Sequence, residues 1–170
     1  RSNHLSYLAV FGIANIIFYW KNYKILTIIL YIALRNLASN AKSIMKNKYQ
    51  LEFSLNVSPN ILFSRLSTPG GLAEWFADDI KVNDNVYTFV WNEVEQDAKL
   101  LQKRNNKYIR FKWMEDEDKQ SYFEFRIHKD ELTGDVALII TDFADDGETE
   151  DAIELWDTQI EELKHKLGVT

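Results

Sequence analysis

The chain contains no cysteine, so disulfide frameworks, zinc–thiolate sites, iron–sulfur clusters and thiol nucleophiles are excluded. Basic residues are outnumbered, 20 against 26 acids, for a net charge of −6. That balance argues against nucleic acid as the main partner. No glycine-rich phosphate loop, G-x-S-x-G or H-E-x-x-H is present. The three histidines, His4, His128 and His165, do not cluster. There is no repeat and no low-complexity tract. What remains is an apolar fraction of 46% with 14% aromatics in 170 residues. That is too apolar for a disordered chain, and it fits one domain, or one domain with an appendage.

Acids are missing altogether from residues 1–44, which carry Arg1, Lys21, Lys24, Arg35 and Lys42. Residues 45–170 hold the other 15 basic groups and all 26 acids, a net charge of −11. A boundary is therefore expected at Met45. Leu5 to Trp20 is an apolar run of 16 residues broken only by Ser6 and Asn15, and Ile25 to Leu34 is a second run of ten. A spanning helix needs about 20 apolar residues. Joining the two runs would place Lys21 and Lys24 mid-membrane, at about 2.5–3.5 kcal/mol each. The basic residues mostly follow the apolar run and no Ala-x-Ala precedes Met45, unlike a signal peptide. Three readings stand: a membrane anchor, a packed helical extension, or a stretch foreign to the natural protein. The third rests on an Ile/Asn/Lys/Tyr/Phe/Leu composition of the kind that AT-rich upstream DNA encodes. The functional reading is built on 45–170, for which a cytoplasmic location is expected. Membrane association is expected only if 1–44 is an anchor.

Tyr49 to Val57 alternates strictly, with Tyr49, Leu51, Phe53, Leu55 and Val57 on one face, as a half-buried strand does. Ser58-Pro59 is a helix start, and Ile61, Leu62, Phe63 and Leu66 form the apolar side of a short helix. Thr68-Pro69 repeats the signal for a second helix through Leu72, Trp75 and Phe76. That helix carries Glu74, Asp78 and Asp79, and no base-reading arginine, so a DNA-reading role is weak. Strands follow at 80–82, 86–91, 93–104, 108–114, 120–128 and 136–143, divided by turns, as in an antiparallel meander. Asp145-Asp146-Gly147 opens a long helix. Ile153, Trp156, Ile160, Leu163 and Leu167 form its apolar face, and Gly168 its cap.

The stretch YQLEFSLNVSPNILFSRLSTPGGLAEWFADDI resembles the first strand and helix pair of the START-like superfamily, also called the helix-grip or polyketide-cyclase-like fold. IELWDTQIEELKHKLG resembles its C-terminal helix with an early tryptophan. The chain is most similar to small bacterial START-like proteins related to the activator of heat-shock chaperone ATPase. The resemblance spans 46–168. It implies an α+β fold in which a curved antiparallel sheet grips the long helix, often around an apolar cavity.

Phe53, Trp75, Phe76, Phe89, Trp91, Phe111, Trp113, Phe123, Phe125 and Trp156 are more aromatics than a plain core needs. The candidate cavity-lining residues are Phe53, Trp75, Phe76, Phe89, Trp91, Phe111, Trp113, Phe125, Trp156, Ile160 and Leu163. A fully packed core is the other reading. The run DFADDGETED from Asp142 fails as a calcium loop: Gly147 is sixth, but Ala144 is third and Ile153 twelfth. Capping of the following helix accounts for its acids. Glu115 to Asp118 reads as a solvated hairpin tip and His128 as an exposed strand residue. Proton transfer by His128 with Glu124 or Arg126 is the functional alternative. Lys99, Lys103, Arg104, Lys107, Arg110 and Lys112 gather around one hairpin, as a solvated face or as a patch for an acidic protein partner. No catalytic residue, metal or cofactor is assigned. The expected function is a non-catalytic module binding a small hydrophobic ligand or lipid. The alternative is a protein-interaction module of the chaperone-ATPase-activator type, and an enzyme of the cyclase or hydrolase kind is a third reading. An open cavity under the long helix favours the first, and a filled core with an exposed hairpin patch the second. Facing titratable groups in a cavity favour the third.

Overall fold

The computed structural model describes residues 46–169, within the unit Ile44–Thr170 that separates from the rest of the chain. The expectations for residues 1–44 lie outside the described residues. Strand β1 (Asn47–Leu55) leads through helices α1 (Pro59–Ser67) and α2 (Pro69–Leu72) into six further strands. These are β2 (Asp79–Asn83), β3 (Val86–Trp91), β4 (Val94–Arg104), β5 (Tyr108–Trp113), β6 (Phe123–Lys129) and β7 (Val136–Ala144). Helix α3 (Thr149–Leu167) ends the fold. The seven strands form one sheet in the order β1-β7-β6-β5-β4-β3-β2. Every neighbouring pair is antiparallel. Five of the six pairings join consecutive strands. The sixth brings β1 beside β7, from Asn47 opposite Ala144 to Leu55 opposite Val136.

Local chemistry sets the helix starts. The Ser58 hydroxyl accepts from the Ile61 N–H at 3.3 Å, and the Thr68 hydroxyl accepts from the Gly71 N–H at 3.0 Å. Each cap is followed by proline, whose missing N–H costs nothing at a first helical position. Leu62, Phe63 and Leu66 are buried as expected, but Ile61 is exposed, because the core-facing stripe of α1 is narrower than its apolar content. The second helix stops at Leu72 rather than reaching Phe76. The N–H groups of Trp75, Phe76 and Ala77 all converge on the Leu72 carbonyl, which ends the regular ladder. Trp75 and Phe76 are therefore presented by a turn. Helix α3 opens at Thr149, after a turn in which Gly147 has φ +91°. Glu148 caps it without a side-chain bond, while Glu150 and Asp151 fill the first turn, where the dipole favours anions. Gly168, at φ 69°, closes it with its N–H on the His165 carbonyl.

The alternating strands resolve which face looks inward. Phe89, Phe111, Phe123, Phe125, Ile109, Leu138 and Ile140 are fully buried beneath the helices, together with Leu62, Leu66, Leu72, Ile160 and Leu163. On the other face, Glu124 is buried between Arg110 and Arg126, at 2.7 and 2.9 Å. The two guanidiniums lie over the rings of Tyr122 and Tyr108. His128 is exposed, and both Glu124 oxygens are held by arginine, so that glutamate is not a partner for proton transfer. Among the described residues no helix is long and apolar enough to cross a membrane.

Candidate ligand pocket

A pocket of about 400 Å³ lies between the first half of α3 and one end of the sheet. The sheet contributes Tyr49 from β1, Trp91 from β3, Gln96 from β4, Trp113 from β5 and Asp142 from β7. The turn after α2 contributes Phe76, and α3 contributes Ala152, Leu155, Trp156 and Gln159.

Of the eleven sequence candidates, the structure brings Phe76, Trp91, Trp113 and Trp156 to this wall. Phe89, Phe111, Phe125, Ile160 and Leu163 are instead fully buried in the core. Trp75 is buried as well, with its indole N–H on the Arg65 carbonyl at 3.1 Å, and Phe53 is half-buried against the core. The difference is position along each strand. Phe89 and Trp91 share a face of β3, as Phe111 and Trp113 share one of β5. The inner residue of each pair lies in the packed core, while the outer one, at the strand end, reaches the pocket. Between the sheet and the long helix, the space is thus open below the first half of α3 and packed below its second.

The aromatic wall is held in place. The Phe76 ring stacks on Trp156 at 5.7 Å and meets Trp91 edge-on at 5.6 Å. The Trp91 indole N–H donates to the Phe76 carbonyl at 2.6 Å. Trp113 packs on Phe123 at 4.6 Å. Few torsions remain free, so the wall is formed before any ligand arrives.

The polar side of the pocket was not foreseen. Asp142 Oδ2 accepts from the Trp156 indole at 2.9 Å and from the Tyr49 hydroxyl at 3.2 Å, and Oδ1 accepts from the Phe143 N–H at 2.8 Å. Burial pushes the Asp142 carboxyl above its usual value, although these three donors favour its ionised form. Burial and the neighbouring carboxylate also raise Tyr49, which therefore stays protonated. The Tyr49 proton is aimed at Asp142 rather than into the pocket, so the pair orders the wall and offers the pocket an acceptor but no free proton donor. Gln159 Oε1 is buried with no hydrogen-bond partner among the described residues. Two patterns held the signal. Asp142 continues the inward series Val136, Leu138, Ile140 of β7, where an acid is out of place. Ala152, Leu155 and Gln159 form a helical stripe beside the core stripe of α3.

A second hollow, of about 320 Å³, adjoins the first and shares Gln96 and Trp113 with it. Lys46, Asp97, Glu115 and Asp116 complete its lining. The expected solvated tip at 115–118 is only half so: Glu115 and Glu117 are exposed, but Asp118 is buried. Asp116 takes the Lys46 ammonium at 2.9 Å and the Ser121 hydroxyl at 2.7 Å, and Asp118 takes the Lys46 N–H at 3.1 Å. These bonds fasten the start of β1 to the β5–β6 connection. The expected basic patch is also thinned. Lys103 reaches the Ser67 carbonyl, Arg110 pairs with Glu124, and Lys112 turns to the carbonyls of Asp118 and Ser121. Lys99, Arg104 and Lys107 stay exposed, and so does Lys103 apart from its bonded ammonium.

The START-like superfamily model matches residues 43–169. A Bacteroides fragilis protein solved in solution is 43% identical, with 72% of this chain covering 93% of that one at a TM-score of 0.53. The Aha1 dimer of Colwellia psychrerythraea shares the fold at 17% identity, 69% and 93% coverage and a TM-score of 0.59. CalU16 of Micromonospora echinospora does so at 12% identity, 69% and 74% coverage and a TM-score of 0.55. No curated protein matches. An antiparallel sheet with a helix pair after its first strand, a long C-terminal helix and this family match lead to one assignment: the chain belongs to the START-like superfamily.

Proposed function

We propose that residues 45–170 form a non-catalytic cytoplasmic module that binds a small hydrophobic ligand between the sheet and α3. The observation that carries this reading is the pocket of about 400 Å³ with Phe76, Trp91, Trp113 and Trp156 on its wall and few polar groups. Its size falls at the lower end of ligand sites, about 300–1,000 Å³, which points to a small molecule rather than a two-chain lipid. The superfamily fold supports the same reading.

A panel of small apolar probes tests it. Binding is expected at micromolar strength, about −8 kcal/mol. It should shift tryptophan emission, because three indoles line the wall, and raise the melting temperature, because only the folded state has the pocket. Ala152→Phe places a ring in the pocket from a half-buried helix position and should abolish both signals. Probes that bind the variant as well as the parent would remove the pocket as the site. The interaction-module reading has support in the fold shared with the Aha1 dimer and in exposed Lys99, Arg104 and Lys107. It loses support from Lys103, Arg110 and Lys112, which are turned to internal partners.

A further inference from the structure

We infer that the pocket selects a protonated primary or secondary amine carried on a compact apolar body. This rests on the reading of the pocket as a ligand site and adds the chemical class. The Asp142 carboxylate is half-buried on the pocket wall, and its hydrogen bonds all come from neutral donors, the Trp156 indole, the Tyr49 hydroxyl and the Phe143 N–H. Among the described residues no basic side chain forms an ion pair with it: the Lys46 ammonium is held by Asp116 and acts on Asp142 only from a distance. A carboxylate in that position gains most from a cation in direct contact, since its hydrogen-bond donors are neutral and Lys46 offsets its charge only in part.

The rest of the wall fits the same ligand. Aromatic rings attract ammonium groups through their negative faces, and Phe76, Trp91, Trp113 and Trp156 line the pocket together with Asp142. Gln159 lines the pocket and its Oε1 lacks a donor, which an ammonium N–H would supply once the amide turns toward the ligand. The adjoining hollow carries Asp97, Glu115 and Asp116 against Lys46, so the approach is acidic too. A fatty acid or other organic anion would meet two acceptors, an excess of acid and no basic group on the pocket wall. The charge favours amines, and the unpaired Gln159 acceptor favours those that keep N–H groups over quaternary ammonium ions.

The test uses the full chain and four probes on one body: 4-phenylbutylamine, its N,N,N-trimethyl derivative, 4-phenylbutanol and 4-phenylbutyrate. Binding is followed by calorimetry and by the indole N–H resonances. The amine is expected to bind at least about tenfold more tightly than the alcohol, with the acid weakest and the trimethyl compound between amine and alcohol. Asp142→Asn should bring the amine down to the level of the alcohol, and Ala152→Phe should abolish binding of both. If amine, alcohol and acid bind alike and Ala152→Phe removes all three, the amine selectivity is wrong and the pocket reading stands. Amine binding that survives Ala152→Phe would place it on the acidic surface and overturn the inference. Should no probe bind, both readings fail. The four-probe comparison on the unaltered protein decides the selectivity even if a variant does not fold.

Discussion

The indole N–H of Trp156 donates to Asp142 Oδ2 at 2.9 Å, joining the long helix to the last strand through a polar contact at the rim of an apolar core. Trp156 is also 6% exposed and stacked on Phe76, so it combines a packing role with a donor role. The two can be separated. Trp156→Phe keeps most of the ring and leaves Asp142 short of a donor, which should cost about 1–3 kcal/mol. Trp156→Ala removes the packing as well and should cost about 3–5 kcal/mol. Urea denaturation of the two variants checks both values. A phenylalanine variant as stable as the parent would mean that the indole bond contributes nothing net.

The carboxyls of this domain shift in opposite directions, and stability should follow. Asp142 is raised by burial, so the folded state holds its proton more tightly than the unfolded chain does. Its contribution is full below the ordinary carboxylate value of 3.8 and is lost as pH rises through the higher folded value. For Asp116, burial raises the value, but bonds from Lys46, Ser121 and the Asp118 N–H outweigh it and leave the net shift downward. Its contribution is present above 3.8 and is lost as pH falls through the lower folded value. The stability difference between the parent and Asp142→Asn should therefore change steadily on raising the pH above 3.8, the parent losing ground. A difference that stays constant across that range would show that Asp142 titrates like a solvated carboxyl.

Much of the fold was legible in the sequence, because its signals are local. Tyr49 to Leu55 alternates in sequence and in burial, Ser58 and Thr68 cap the helices they announce, and Gly168 ends α3. The pocket was less legible, because it depends on where elements end. Nothing local in Phe89 and Trp91 says that one lies under the helices and the other beyond them. The α2 register shows the same limit, since Trp75 and Phe76 fit a helical spacing yet sit in a turn. Asp142 was readable in principle as an acid in an inward series. Its place just ahead of the acids that open α3 masks that signal, because acids are also what a helix start favours.

A chain beginning at Met45 is expected to fold cooperatively by itself. The superfamily match begins at residue 43, and 72% of this chain covers 93% of the Bacteroides relative. The acids, both prolines and the full strand–helix pattern also lie beyond residue 44. A single sharp urea transition with dispersed amide resonances would bear this out. A molten 45–170 fragment beside a folded full chain would mean that the preceding segment completes the core.

Gly71 sits where α1 and α2 meet, and a side chain there has no room. A Cβ would stand 2.3 Å from the Ser64 carbonyl oxygen, 2.7 Å from Thr68 Oγ1 and 2.8 Å from Arg65 Cα. Two of these are backbone atoms of α1, which cannot rotate away. The third is the hydroxyl that accepts from the Gly71 N–H and donates to the Ser64 carbonyl, so displacing it also removes the α2 cap. Overpacking costs about 1–3 kcal/mol and a lost cap about 1, so Gly71→Ala should destabilise by about 2–4 kcal/mol. Gly70 is the internal control: nothing lies within 4 Å of its Cβ position, and Gly70→Ala should leave stability unchanged or slightly raised. The contact also bears on the pocket. The Trp75 indole is anchored on the Arg65 carbonyl, and Phe76 follows it onto the pocket wall, so a shift of α2 against α1 displaces Phe76. Gly71→Ala should therefore weaken apolar probes as well as the fold, while Gly70→Ala changes neither. Equal stability of the two alanine variants would show that the helix pair relaxes freely and does not fix the position of Phe76.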